Sequence, residues 1–170
     1  SRIIRDIPSQ YIVEGYRISS LRQDVQRRMH ARGWRCQCIR CREVGGRTVD
    51  GELTLDDLVY DAGVAEEHFL SFVTADDRLA GFLRLSLPYD RQASAALFPE
   101  LAGCAMIREV HVYGPALEIG GASEGEAQHR GLGRRLIERA EELARERAFA
   151  RLAVIAAIGT RAYYRRLGFD

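Results

Sequence analysis

Four groups of residues in this sequence have the types and spacing to do chemistry. Gln128-His129-Arg130-Gly131-Leu132-Gly133 stands at the head of an amphipathic segment. A helix start of this kind exposes unpaired backbone N–H groups at the positive end of the helix dipole, and glycines let backbone approach a phosphate with no Cβ in the way. Arg130, Arg134 and Arg135 add charge that suits a phosphorylated ligand. Cys36-x-Cys38-x-x-Cys41 brings three thiols into six residues, with Cys104 far away. Such a set reads either as reduced thiols in an intracellular protein or as a metal clip. Zinc wants four ligands, so a zinc site here would borrow its fourth from Cys104, His30 or His68. Tyr163-Tyr164, one turn before Leu167-Gly168-Phe169, can supply a phenolic proton donor or a pair of core rings. Glu109 and His111 can serve as a general base for an amine.

The elements that must position these groups can be traced along the chain. Ser19-Ser20 precede Leu21, Val25 and Met29 at helical spacing, and Gly33 follows, which predicts a capped helix with a glycine stop. Trp34 to Val44 fits a strand or a metal-tied loop, and the acidic stretch 50–65 a short helix or a loop. His68 to Val73 and Leu79 to Leu87 read as the arms of an antiparallel hairpin turning at Ala75-Asp76-Asp77-Arg78. Pro88 to Gly103 is loop-like, Cys104 to Tyr113 a further strand ended by Gly114-Pro115, and Ile119 to Glu126 a glycine-rich loop. Gly131 to Arg147 is the strongest helix, with Leu132, Leu136, Ile137, Ala140, Leu143 and Ala144 on one stripe. Leu152 to Ile158 reads as a short buried strand, and Arg161 to Leu167 as a last helix closed by Gly168. This order predicts an α/β fold, a central mixed sheet flanked by helices. The strand before the glycine loop ends well upstream at Gly114, so a tight βα dinucleotide fingerprint fits poorly.

Composition bounds the rest. A chain of 170 residues with 46% hydrophobic and 29% charged residues is expected to be one soluble globular fragment, with no bilayer-length apolar run and no signal peptide. It opens on Ser1 rather than Met and closes on Asp170 after an apolar stretch, and is read as a piece of a longer protein. The net charge of +1 hides an asymmetry: residues 1–49 carry 11 Arg against Asp6, Glu14, Asp24 and Glu43, while 50–170 carry 14 Arg against 20 acidic residues. Every basic residue is Arg. A basic N-terminal region of 1–49, with its linker helix and Cys-rich segment, is therefore expected ahead of a domain at 50–170. Arg forks suit the phosphates of a polyanion.

Two resemblances sharpen these readings. The spacing Gln-x-x-Gly-x-Gly at Gln128, Gly131 and Gly133, followed by Ala153 to Ile158 and Gly159 to Phe169, resembles the pyrophosphate loop and closing segments of the Gcn5-related N-acetyltransferase superfamily. In that superfamily a Tyr on the last helix often protonates the departing CoA thiolate. Arg5-Asp6-Ile7-Pro8, Ser20-Leu21-Arg22, Cys38 to Gly45, Phe69 to Phe72, Gly81 to Leu85 and Arg108 to Gly114 together resemble the catalytic subunit of the Elongator complex, in its prokaryotic form. Members of that family join a radical S-adenosylmethionine domain, with its iron–sulfur cluster, to a C-terminal acetyltransferase-like domain. They modify the wobble uridine of tRNA with a carboxymethyl group drawn from acetyl-CoA.

The resemblance implies acetyl-CoA contacts at Glu109, Val110, His111, Val112, Gln128, Gly131, Leu132, Gly133, Arg134 and Tyr163, with catalytic roles for Tyr163 and Tyr164. It implies a structural zinc on Cys36, Cys38 and Cys41, as in prokaryotic members, a tRNA surface at the Arg-rich start, and a cytoplasmic setting. No cysteine set for an iron–sulfur cluster is present, so the chain is expected not to complete the tRNA reaction without the radical domain. Two rival readings follow from the same residues: a stand-alone N-acetyltransferase acting on an amine, and a tRNA-binding module without turnover.

Overall fold

The computed structural model describes residues 9–15, 21–45, 49, 51–93, 97–114 and 131–170. Its contacts divide the chain into two units, Ser1–Arg42 and Glu43–Asp170. The break falls earlier than the 49/50 boundary drawn from charge. Val44 donates its N–H to Leu79 O at 3.0 Å, and Val44 and Val49 are both buried in the core of the second unit.

In the first unit a 3-10 turn at Ser9–Tyr11 precedes helix α1, Leu21–Ala31, and the short α2, Ile39–Arg42. The glycine stop is as expected. Gly33 takes φ +69°, Gly33 N donates to His30 O at 3.0 Å and Trp34 N to Met29 O at 2.9 Å. A residue in the left-handed region followed by such bonds closes a helix and satisfies its last carbonyls. The predicted N-cap, Ser19-Ser20, lies outside the described residues. The Cys-rich segment is not a strand: after an irregular stretch at 34–37, Cys41 N and Arg42 N both donate to Cys38 O, winding the chain into α2.

The second unit is built on a five-stranded sheet in the order β1-β2-β3-β4-β5. The strands are β1 Thr54–Asp61, β2 Ala65–Val73, β3 Leu79–Pro88, β4 Cys104–Val112 and β5 Arg151–Val154. Neighbours are antiparallel except β4 and β5, which run parallel. β1 corrects the expectation of a helix or loop at 50–65. It is an edge strand with all eight residues exposed, so neither face imposes the apolar alternation by which a strand is recognised. The β2–β3 turn is tied by Thr74 N to Arg78 O at 2.9 Å, with Asp77 at φ +63°.

Helix α3, Leu132–Glu146, covers one face of the sheet through Leu132, Leu136, Ile137, Ala140, Leu143 and Ala144, the stripe that its period predicts. Burying each of the large side chains stabilises the fold by about 1.5–3 kcal/mol. β5 ends at Val154, short of the predicted Ile158; Ile155 and Ile158 are 63% and 84% exposed. Helix α4, Arg161–Arg166, follows, and Gly168 at φ +93° closes it.

Candidate functional site

The sheet opens on one side, and the opening has a local cause. Arg84 pairs with Glu109 and Leu85 with Ile107, leaving Arg108 as an extra residue in β4. A bulge of this kind bends its strand and strengthens the twist. Pairing of β4 with β5 stops at the same level, where Ile155 N donates to Ile107 O at 3.0 Å. β4 therefore runs on from Arg108 to Val112 with β3 on one side and without β5 on the other. A strand edge that runs past the end of its neighbour can offer N–H and C=O groups to an extended ligand.

The start of α3 meets this opening. Gly131 is the N-cap at φ +100°, with no side-chain cap, and the first intrahelical bond runs from Arg135 N to Gly131 O at 2.8 Å. The N–H groups of Leu132, Gly133 and Arg134 thus precede the first intrahelical donor, a favourable place for an anion. A Cβ built on Gly133 would lie 2.9 Å from the Tyr163 hydroxyl and 3.6 Å from Val112 Cγ2. The glycine holds open a point where β4, α3 and α4 converge.

The two tyrosines separate. Tyr164 is buried in the core and packs edge-on to Phe169, with ring centroids 5.7 Å apart. Tyr163 is half-buried, carries its oxygen to Gly133, and meets Tyr164 edge-on at 5.3 Å. Burial pushes the Tyr163 phenol above its ordinary range, while Arg134 and Arg166 oppose the shift. Burial also raises Tyr164, with Tyr163 adding to it. Tyr163 accordingly keeps its proton at neutral pH and can give it up at Oη.

The other predicted residues fall into place around this corner or away from it. Gln128, with His129 and Arg130, lies outside the described residues, as does the loop at Ile119 to Glu126. Leu132 is buried; Arg134 pairs with Glu138 at 2.7 Å, and Arg135 lies over the Phe72 ring at 4.5 Å. Val110 packs against the core and Val112 reaches Gly133, both on the α3 side of the sheet. Glu109 and His111 alternate to the other face. Glu109 lies 3.8 Å from Arg84, and His111 stacks on Phe82 at 5.8 Å. The Arg108 bulge and Gly81, where a Cβ would come within 3.0 Å of His111 O, were missed from sequence; the signal for both is cross-strand register, which one strand alone does not carry. A cavity of about 750 Å³ lies along the open edge of β5, and neither Gly133 nor Tyr163 lines it.

Cys36, Cys38 and Cys41 come together in the first unit, with sulfurs all within 4.8 Å of one another. Zinc–sulfur bonds of about 2.3 Å in tetrahedral geometry put sulfurs roughly 3.8 Å apart, so the cluster fits three corners of such a site. Arg22 and Gln26 of α1 each donate to Cys41 Sγ at 3.2 Å. Partial burial opposes ionisation of Cys38, but hydrogen bonds with Cys36 and Cys41 bring its thiol below the ordinary value. His30, the proposed fourth ligand within this unit, does not join the cluster among the described residues; His68 and Cys104 belong to the second unit. His68 has its ring nitrogens on Asp57 and Glu66, and Cys104 is buried with Glu100 O at 3.7 Å from its sulfur.

A family model described as "Acetyltransferase (GNAT) family" matches residues 41–169, the whole of the sheet, α3 and α4. The chain belongs to the GNAT acetyltransferase family. Over its full length it is 43% identical to a tRNA uridine(34) acetyltransferase of Dehalococcoides mccartyi, of which it spans 38%. It is 40% identical to Elongator complex protein 3 of Dictyostelium discoideum, matching 99% of this chain and 31% of that protein. Among solved structures, an N-terminally truncated Elp3 of Methanocaldococcus infernus superposes with a TM-score of 0.75 at 35% identity, covering all of this chain and 41% of its own. The chain thus spans less than half the length of these relatives. The bulged β4, the short β5 and the glycine start of α3 are the parts of this GNAT domain that build its corner. No helix among the described residues is long and apolar enough to cross a membrane.

Proposed function

We propose that this GNAT domain binds and cleaves acetyl-CoA, and that the acetyl unit serves modification of a tRNA uridine. The observation that carries the reading is the meeting of Gly133, Val112 and Tyr163 at the opened edge of β4. The N–H groups at the start of α3 would hold the pyrophosphate, together with Gln128, Gly131 and Arg134. The stretch of β4 from Glu109 to Val112, beyond the last residue that pairs with β5, would hydrogen-bond the extended arm of the ligand. Acetyl-CoA, when bound, supplies an activated acetyl group and a sulfur leaving group. Tyr163 holds a proton at Oη for that sulfur, while Tyr164 fixes the ring from the core.

The RNA half of the reading rests on charge and on the relatives. Residues 1–42 hold ten Arg against Asp6, Glu14 and Asp24, the balance expected of a phosphate-binding surface. The relative from Dehalococcoides mccartyi is named for tRNA uridine(34). Cys36, Cys38 and Cys41 would hold a structural zinc, which would tie α2 to the first half of α1 through Cys41. Carboxymethylation of the uridine is proposed to need a radical S-adenosylmethionine domain in the same protein, working in the cytoplasm. The rival amine-acetylating reading loses support from the placement of Glu109 and His111, whose side chains leave the Gly133–Tyr163 side of the sheet.

Calorimetric titration with acetyl-CoA tests the site. Gly133→Glu sets a carboxylate against the expected phosphates, and is expected to weaken binding at least tenfold, on the order of 2 kcal/mol. Unchanged affinity refutes the site. Hydrolysis of acetyl-CoA with and without tRNA tests the second half, with stimulation by tRNA expected.

A further inference from the structure

Trp34 is the only tryptophan in the chain, and it is 59% exposed. The backbone beneath it is fixed on both sides. Upstream, its N–H closes the end of α1 on Met29 O at 2.9 Å, with Gly33 in the left-handed region. Downstream, two residues on, the Cys36–Cys41 cluster begins, which Arg22 and Gln26 of α1 reach at Cys41. In this kind of helix ending the residue at Trp34's position commonly packs back on the last turn. Here the indole stands out instead. The Arg32 guanidinium lies 5.2 Å from the ring centroid, a cation over one face.

We propose that Trp34 is a stacking platform for an unpaired base of the bound RNA, an inference that rests on the tRNA reading above. A large, outward aromatic ring on a fixed backbone loses little entropy on binding. The chemistry around it favours RNA over a protein surface. Arg32 and Arg35 flank Trp34 in sequence, and Arg40 and Arg42 follow in α2. Trp and Arg also anchor protein interfaces, but ten Arg against three acidic residues over 1–42 match a phosphate backbone, and single-stranded nucleic acid is held on aromatic rings within a positively charged groove. Base stacking reads no particular base edge, so Trp34 is expected to contribute affinity for unpaired segments rather than sequence choice.

Because Trp34 is the sole tryptophan, its fluorescence reports directly on the contact. The 170-residue chain is titrated with a tRNA transcript bearing uridine at position 34, and with a blunt RNA duplex of equal length. Anisotropy of labelled RNA gives affinity independently. The tRNA is expected to quench the indole emission and the duplex to leave it nearly unchanged. Trp34→Leu is expected to weaken tRNA binding about tenfold with the salt slope unchanged, and Trp34→Phe to restore it to within about threefold. If tRNA binds while the emission and the Trp34→Leu affinity stay as in wild type, the stacking role is overturned and the RNA reading survives. If wild-type chain does not bind tRNA at all, both fall together. If Trp34→Leu weakens tRNA and duplex equally and lowers the helical circular dichroism signal, the ring supports the loop rather than the RNA, and the proposal is overturned.

Discussion

The hydroxyl of Tyr163, carried by α4, lies 2.9 Å from where a side chain on Gly133 of α3 would begin. Any residue larger than glycine at 133 must displace that oxygen. Tyr163→Phe removes the oxygen and leaves the ring, so acetyl-CoA affinity is expected to stay within about twofold, whereas loss of a positioned proton donor is expected to slow cleavage about a hundredfold or more. Tyr164→Phe should do neither, and Tyr164→Ala should cost about 3–5 kcal/mol of stability through the cavity it leaves. Calorimetry, single-turnover hydrolysis and thermal unfolding separate the three. Equal rates for wild type and Tyr163→Phe would remove Tyr163 from the chemistry.

The raised phenol makes a prediction on pH. Tyr163 keeps its proton through the neutral range, so its contribution to cleavage is lost only as pH rises through a value above the ordinary phenol figure of about 10. The sign for stability is the same. The folded state holds this proton more tightly than the unfolded chain, so the stability it brings is full below about pH 10 and lost as pH climbs through the folded value. Tyr163→Phe should therefore flatten the alkaline fall in Tm, leaving the part due to Tyr164, which is raised by burial too. Parallel wild-type and variant curves above about pH 9 would contradict the shift.

Metal removal should act first on α1. That helix has 11 residues and buries none of its side chains, and isolated helices of this length are marginal in water. The bonds from Arg22 and Gln26 to Cys41 Sγ are among what holds it. Chelation, or Cys38→Ser, is expected to release one zinc per chain to a colorimetric indicator. About ten residues' worth of helical signal should go with it, roughly the length of α1. The sheet of the second unit should melt at an unchanged temperature. A chain that yields no metal and keeps its helix signal would refute the zinc.

How far these features could be read in advance depended on what each residue answers to. Leu132, Leu136, Ile137, Ala140, Leu143 and Ala144 answer to one period, and α3 buries those same six. The Gly131-x-Gly133 segment was legible as the glycine opening of that helix, and Gly131 stands there as its N-cap at φ +100°. β1 was not visible: Asp56, Asp57 and Asp61 sit on an exposed edge, where no buried face imposes alternation. The Arg108 bulge depends on where β3 runs, and the different burial of Tyr163 and Tyr164 depends on which ring α4 turns into the core. These are relations between distant segments, and a local pattern does not contain them.

The last prediction concerns what steadies α3 from its far end. His68 is buried on β2 with Nδ1 2.9 Å from Asp57 of β1 and Nε2 3.1 Å from Glu66, and Glu66 also pairs with Arg147 at the C-cap of α3. The hydrogen bond with His68 and the pairing with Arg147 hold the Glu66 carboxyl below its ordinary range, against the opposing effect of burial. With the folded value depressed, this stability is present above the ordinary carboxyl value of about 4.3 and lost as pH falls through the lower folded one. Glu66→Gln keeps the shape, removes the charge, and is expected to cost about 0.5–1 kcal/mol at neutral pH while flattening the acid limb of the stability curve. Urea unfolding at neutral and acid pH measures both quantities. Since the Gly133 end of α3 has its own neighbours in Val112 and Tyr163, the same variant should leave acetyl-CoA affinity unchanged; weaker binding together with an unaltered acid limb would contradict this account of Glu66.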